Sequence, residues 1–215
     1  MLLVLPLCAQ KPNVVVIISD DAGYSDWGFM DDYLQTLNPG QPKSTVPTPN
    51  LDALRKRGTL LTNAYTAAVC SPSRAAIVTG SYQQRIGYEY NINNLTGAND
   101  VDGLSSDAVT IFDRMKSEGY TTGVVGKWHL GARANDSGDG NRPEHQGVDE
   151  FFGIWKGSRN YTIGAVGGSG TLRETFASPF TDTVLETTPP WNTTNKYVTN
   201  AFGIGAVNFI ERHYA

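Results

Sequence analysis

The chain has 215 residues, a formal net charge of -4 and two cysteines. That length buries a real core and defaults to one domain. The mildly acidic balance excludes a nucleic-acid binder, which needs a clustered basic face, and no stretch reaches the roughly 20 apolar residues of a membrane-spanning helix. The basic cluster "RKR" at 55–57 reads as a solvated helix end.

In chain order, "MLLVLPLCAQ" at 1–10 has the short apolar core and small closing residues of a signal-peptide tail, with a buried first strand as the alternative. Removal of that segment leaves Cys70 as the sole cysteine, excludes a disulfide framework and implies a periplasmic or secreted protein. A lone thiol in such a protein needs a reason. "NVVVIIS" at 13–19 predicts a strand buried on both faces, ending at Asp20 and Asp21. "TPNLDALRKRG" at 48–58 predicts a helix, with Thr48 as cap, Pro49 in the first turn and Gly58 as stop. "LLTNAY" at 60–65 predicts a short strand. A helix is expected from near Pro72 to Gly80, and another over 105–119 with Val109, Phe112 and Met115 on one face. "YTTGVVGKWHLG" predicts a strand ending at Gly126 and Lys127. From about 131 to 195, Gly, Ser, Thr, Asn and Pro dominate, which predicts long loops with at most a small hairpin. "KYVTNAFGIGAVNFIERHYA" resumes a helical pattern. Strands alternating with helices predict an α/β fold with a mostly parallel central sheet flanked by helices.

Three constellations carry chemistry. Asp20 and Asp21 follow the first expected strand, where ligands gather in open α/β sheets. Adjacent carboxylates suit a hard cation, Ca²⁺ or Mg²⁺, and the plain alternative is a loop with one aspartate capping a turn. The segment does not follow the EF-hand pattern. Lys127 and His129, two apart at a strand end, would share a face and suit an oxyanion. The alternative is a surface lysine beside a half-buried histidine. The "GK" is not a P-loop, because Trp128 stands where Ser or Thr is required. Cys70 in "AAVCSPSRAAIVTG" should sit at a helix N-terminus, where the dipole favours anions, with Arg74 on the first turn. A buried structural cysteine is the alternative. Its spacing to Arg74 is too short for a cysteine phosphatase, and a zinc site would need more thiols or a closer set of histidines.

The stretch "AVCSPSRAAIVTG" resembles the signature of the type I, formylglycine-dependent sulfatases of the alkaline phosphatase superfamily. "GYTTGVVGKWH" resembles that family's second signature, and "NVVVIISDDAGYSDWG" resembles its opening strand and metal-binding aspartates. The resemblance covers roughly residues 12–155. It implies that Cys70 is oxidised by a maturase to formylglycine, with Pro72 and Arg74 in the recognition sequence. One hydroxyl of the hydrated aldehyde, held on the metal, would attack sulfur, and the other would lose a proton and expel sulfate. Asp20, Asp21 and modified Cys70 would ligate Ca²⁺, with Mg²⁺ as the substitute. Arg74 would hold the diol, Lys127 a sulfate oxygen, and His129 would help release sulfate. Ser158, in "HQGVDEFFGIWKGSRN", lies near but offset from a sulfate-binding serine found in some relatives.

The implied reaction is hydrolysis of a sulfate monoester of a small molecule or glycan. Alternatives are a phosphate or phosphonate monoester hydrolase of the same superfamily, and an inactive anion- or glycan-binding remnant. Residues 11–215 resemble the N-terminal part of the catalytic domain, since the family's Asp-Asn ligand pair, leaving-group histidine and second lysine lie further downstream. Two carboxylates and one diol fall short of the about six to eight oxygens that Ca²⁺ prefers. This piece alone is therefore expected to show little or no turnover. Specificity would sit in loops, and Tyr88 and Tyr90 in "YQQRIGYEYNINN" are rim candidates for stacking on a sugar or aryl ring, with ordinary loop tyrosines as the alternative.

Overall fold

The computed structural model describes residues 11–92, 103–131, 141–163, 172–177, 180–184 and 196–214. The signal-like residues 1–10 and the glycine- and proline-rich stretches 164–170 and 186–195 lie outside these. The chain divides into two compact units, one ending at Ala64 and one starting at Tyr65.

The first unit carries helices α1 (Asp31–Leu37) and α2 (Pro49–Arg55). Pro49 opens α2 as its spacing predicts, but Thr48 does not cap it. The Thr48 hydroxyl instead donates to Asp52 at 2.8 Å and accepts the Gly28 N–H. Arg55, Lys56 and Arg57 are exposed at the helix end, as expected of a solvated cluster. Residues 13–19 form no strand, and Val14 to Ile18 are 45–73% exposed. A β-branched run gains a ladder only from a partner, and no described strand pairs with this one. The strand expected at 60–65 is also absent, replaced by a turn and extended chain. There the Thr62 carbonyl accepts the Tyr24 hydroxyl.

The second unit is α/β. A four-stranded sheet runs in the order β1 (Gly123–Lys127), β2 (Glu150–Ile154), β4 (Arg173–Ala177), β5 (Phe180–Val184). β1 and β2 are parallel, and β2, β4 and β5 are antiparallel neighbours. The small hairpin foreseen in the loop region is β4–β5. β2 falls in the same region, was not foreseen, and sits at the centre of the sheet. A separate two-stranded ladder joins β3 (Thr162–Ile163) to β6 (Lys196–Tyr197).

Side chains alternate across a strand, so neighbouring Phe151 and Phe152 feed two cores. Phe151 packs with Ala75, Val78, Trp128 and Leu130. Phe152 packs with Ile163, Val198 and Ala201. Helix α3 (Cys70–Thr79) serves the first core and α5 (Val198–His213) the second. Helix α4 (Ile111–Ser117) is shorter than its predicted span. Its cap is Thr110, which accepts the Asp113 N–H while Asp113 accepts the Thr110 N–H. That box outcompetes Ser105 and Ser106 as a start, and Val109 is left exposed outside the helix. Thr122 and Asp149 tie the starts of β1 and β2 together through the Thr122 N–H and hydroxyl. Burial pushes the Asp149 carboxyl up, but the Lys116 ammonium and the Thr122 bonds outweigh it and hold the group below its ordinary value. No helix among the described residues is long and apolar enough to cross a membrane.

Candidate active site

Cys70 is the first residue of α3, two positions earlier than the start expected near Pro72. Val69 ahead of it is extended, and the Ser73 hydroxyl donates to the Val69 and Ala67 carbonyls. Gly80, left-handed at φ 64°, ends the helix. The ten-residue helix thus presents its amino end at the cysteine.

The carboxyl end of β1 meets that helix. The Lys127 ammonium donates to Cys70 Sγ at 3.0 Å, and the Arg74 guanidinium donates to the Lys127 carbonyl. Cys70, Arg74 and Lys127, from two segments more than fifty residues apart, therefore form one hydrogen-bonded cluster. All three are half-buried.

His129 arrives by a route that alternation along a strand does not describe. Its backbone is left-handed at φ 55°, so it has left β1 and no longer follows the period of Lys127. The Trp155 carbonyl accepts its N–H at 2.9 Å, and its own carbonyl accepts the Ser71 hydroxyl at 2.9 Å. Ser71 is wholly buried; its N–H donates to Asn91 Oδ1 and its oxygen accepts the Ile92 N–H. One buried serine, next to the cysteine, thus clamps the histidine's backbone to the helix start. The imidazole is 6% exposed and lies against Gly157, where an added Cβ would stand 2.6 Å from the ring.

Ser71, Asn91 and Gly157 are site-building residues that sequence reasoning missed. Ser71 reads as a spacer inside the cysteine motif, and nothing local marks the other two. Removing the Ser71 hydroxyl takes one hydrogen bond from the buried His129 and one from the N–H of half-buried Ile92. Ser71→Ala is expected to cost about 1–3 kcal/mol, read as a lower urea midpoint. An unchanged midpoint would show that the clamp carries no energy.

Ser158 is exposed and follows Gly157. Gln146 of the "HQG" stretch is structural: it is buried and donates to the Leu104 and Ser105 carbonyls. Tyr88 is a core residue at 6% exposure, packed with Ala75 and Val78, so it cannot serve a rim, whereas Tyr90 is exposed. In the first unit Asp20 and Asp21 are exposed, with one carboxylate oxygen of each within 4.8 Å of the other. Asp21 holds a left-handed backbone at φ 56°. A close pair of hard oxygen donors on a strained turn fits a divalent cation such as Ca²⁺ or Mg²⁺.

The family model described as Sulfatase matches residues 12–191. Arylsulfatase A of Homo sapiens is 37% identical over 147 residues, covering 68% of this chain and 26% of that protein. Arylsulfatase J of Mus musculus is 35% identical over 152 residues, covering 71% and 22%. Steryl-sulfatase of Homo sapiens is 34% identical over 152 residues, covering 68% and 24%. The chain thus spans about a quarter of the length of these curated relatives. Among solved structures, that of Ps i-CgsB superposes with a TM-score of 0.69 at 29% identity, covering 94% of this chain and 42% of that one. The same protein in complex with k-i-k-neocarrahexaose superposes equally well at 28% identity.

Proposed function

Because the chain belongs to the type I sulfatase family, we propose that it hydrolyses a sulfate monoester, with Cys70 as the precursor of the nucleophile. The observation that carries this reading is the 3.0 Å contact of the Lys127 ammonium with Cys70 Sγ at the start of α3. It brings the two signature motifs together around one atom. A divalent cation on Asp20 and Asp21 would supply Lewis acidity to the attacking hydroxyl. Conversion of Cys70 to formylglycine supplies a hydrated aldehyde: one hydroxyl attacks sulfur and displaces the alcohol, and the other loses a proton and expels sulfate.

The chain's own residues set the geometry. Lys127 holds a sulfate oxygen beside the nucleophile and stabilises charge that grows there. Arg74, anchored on the Lys127 carbonyl, orients the hydrated side chain. His129, held by Ser71 and Trp155, moves the proton of the departing step. The complex of a structural neighbour with k-i-k-neocarrahexaose supports a sulfated sugar as the substrate of this chain. Secretion or periplasmic export, and a formylglycine-generating maturase as partner, complete the proposal.

The test is mass spectrometry of the Cys70 peptide after co-expression with a maturase. The aldehyde is the expected product, and a persistent thiol would count against the reading. Nitrophenyl sulfate and nitrophenyl phosphate, compared in the full reading frame that carries this chain, separate the two ester classes. Sulfate is expected to react faster.

A further inference from the structure

Tyr161 and Tyr197 are both exposed, at 69% and 49%, yet they are stacked on each other. Their ring centroids are 5.7 Å apart with planes inclined by 14°. The backbone holds the pair in place. Thr162 is the ladder partner of Tyr197, and the Val198 N–H donates to the Tyr161 carbonyl at 2.6 Å. Two solvent-facing aromatic rings fixed by a ladder are pre-organised, so a ligand that covers them loses little side-chain freedom on binding.

The surroundings indicate what covers them. Ser158 and Asn160 are exposed, Lys156 and Arg159 half-buried, and no aliphatic side chain lies among residues 156–161. A protein interface core is depleted in charge around its aromatic anchors, whereas a glycan presents C–H faces to rings, hydroxyls to amides and, when sulfated, negative charge to cations. Position agrees. Gly157 abuts the His129 imidazole, and the four residue steps from Gly157 to Tyr161 reach at most about 14 Å.

We propose that Tyr161 and Tyr197 form a sugar-binding platform beside the active site, over which a sulfated glycan lies while one of its sulfates sits at Cys70 and Lys127. The inference rests on the sulfatase reading and narrows its substrate from a sulfated sugar of any size to an oligosaccharide. One ring takes a pyranose face, and the flanking Lys156 takes a neighbouring sulfate, while Arg159 donates to the Asn160 and Thr162 carbonyls and braces the loop.

Isothermal titration of this chain with sulfated galactan, fucan and glycosaminoglycan hexasaccharides tests it, with phenyl sulfate as the ligand too short to use a platform. Wild type is expected to bind at least one hexasaccharide. Tyr161→Ala and Tyr197→Ala should each lose roughly tenfold in that affinity, Tyr161→Phe should keep it, and phenyl sulfate binding should not change. Both tyrosines are exposed, so an unchanged thermal midpoint confirms that the variants fold. Hexasaccharide affinity equal to wild type in the alanine variants, or no hexasaccharide bound by wild type, overturns the platform. Conversion of Cys70 by the maturase is scored separately. An aldehyde with no platform effect sinks only the platform, and a persistent thiol counts against the sulfatase reading itself.

Discussion

On the proposed formylglycine mechanism, Cys70→Ser is expected to abolish multiple turnover of an aryl sulfate in the full reading frame that carries this chain, with a loss on the order of 10⁴-fold or more. The reason is a count of oxygens. A serine hydroxyl attacks sulfur, takes the sulfuryl group and releases the alcohol, which leaves a sulfate ester on the single oxygen of the substituted side chain. The hydrated aldehyde carries a second hydroxyl, and loss of its proton expels sulfate by re-forming the carbonyl. The serine has no such group. The expected record is a burst of at most one equivalent of alcohol, and a protein mass raised by one sulfuryl group. Cys70→Ala gives neither burst nor adduct. The fold should not change in either variant, because Cys70 is half-buried and its side chain meets the Lys127 ammonium rather than a packed core. Sustained turnover by the serine variant at a rate near wild type would remove the aldehyde from the mechanism.

The site was more legible than the sheet, for a physical reason. Cys70 at a helix start, Arg74 one turn on and Lys127 at a strand end are all set by local rules: a helix with Gly80 as its stop, and a β-branched run broken at Gly126. The two motifs meet because the strand end and the helix start lie together, which the fold class implies. What the sequence did not show depends on partners far along the chain. Central strand β2 is written "EFFGI", in a region whose composition reads as loop. It becomes a strand because β1 offers a parallel ladder and Thr122 donates to Asp149. The run 13–19 has the stronger strand composition and forms none, since no described strand pairs with it. The left-handed backbone of His129 has no local signal either. It is held by the hydroxyl of Ser71 and the carbonyl of Trp155, each far from it in sequence.

The largest loss of stability is expected from a single methyl group at Gly153. Gly126 and Gly153 are opposite one another in the parallel ladder. Gly126 holds φ 114°, a conformation that favours glycine, and it turns its carbonyl toward the neighbouring strand. A Cβ on residue 153 would stand 1.8 Å from that oxygen and 2.7 Å from its carbon. Both are backbone atoms, so no side chain can move aside to relieve the clash. Either the ladder opens or Gly126 shifts, and Lys127 is the next residue. Gly153→Ala is therefore expected to cost about 3 kcal/mol and lower the thermal midpoint by on the order of 10 °C. It should also weaken the Lys127 contact with Cys70. The same substitution at Gly203 provides the contrast. That position lies within α5, has no atom within 4 Å of an added Cβ, and no left-handed backbone to preserve. Gly203→Ala should raise stability by about 0.5–1 kcal/mol, by lowering the entropy of the unfolded chain. Thermal melts of the two variants beside wild type decide the matter. Shifts of opposite sign support the glycine pair as the joint between β1 and β2, and a Gly153→Ala midpoint equal to wild type would show that the ladder yields at no cost.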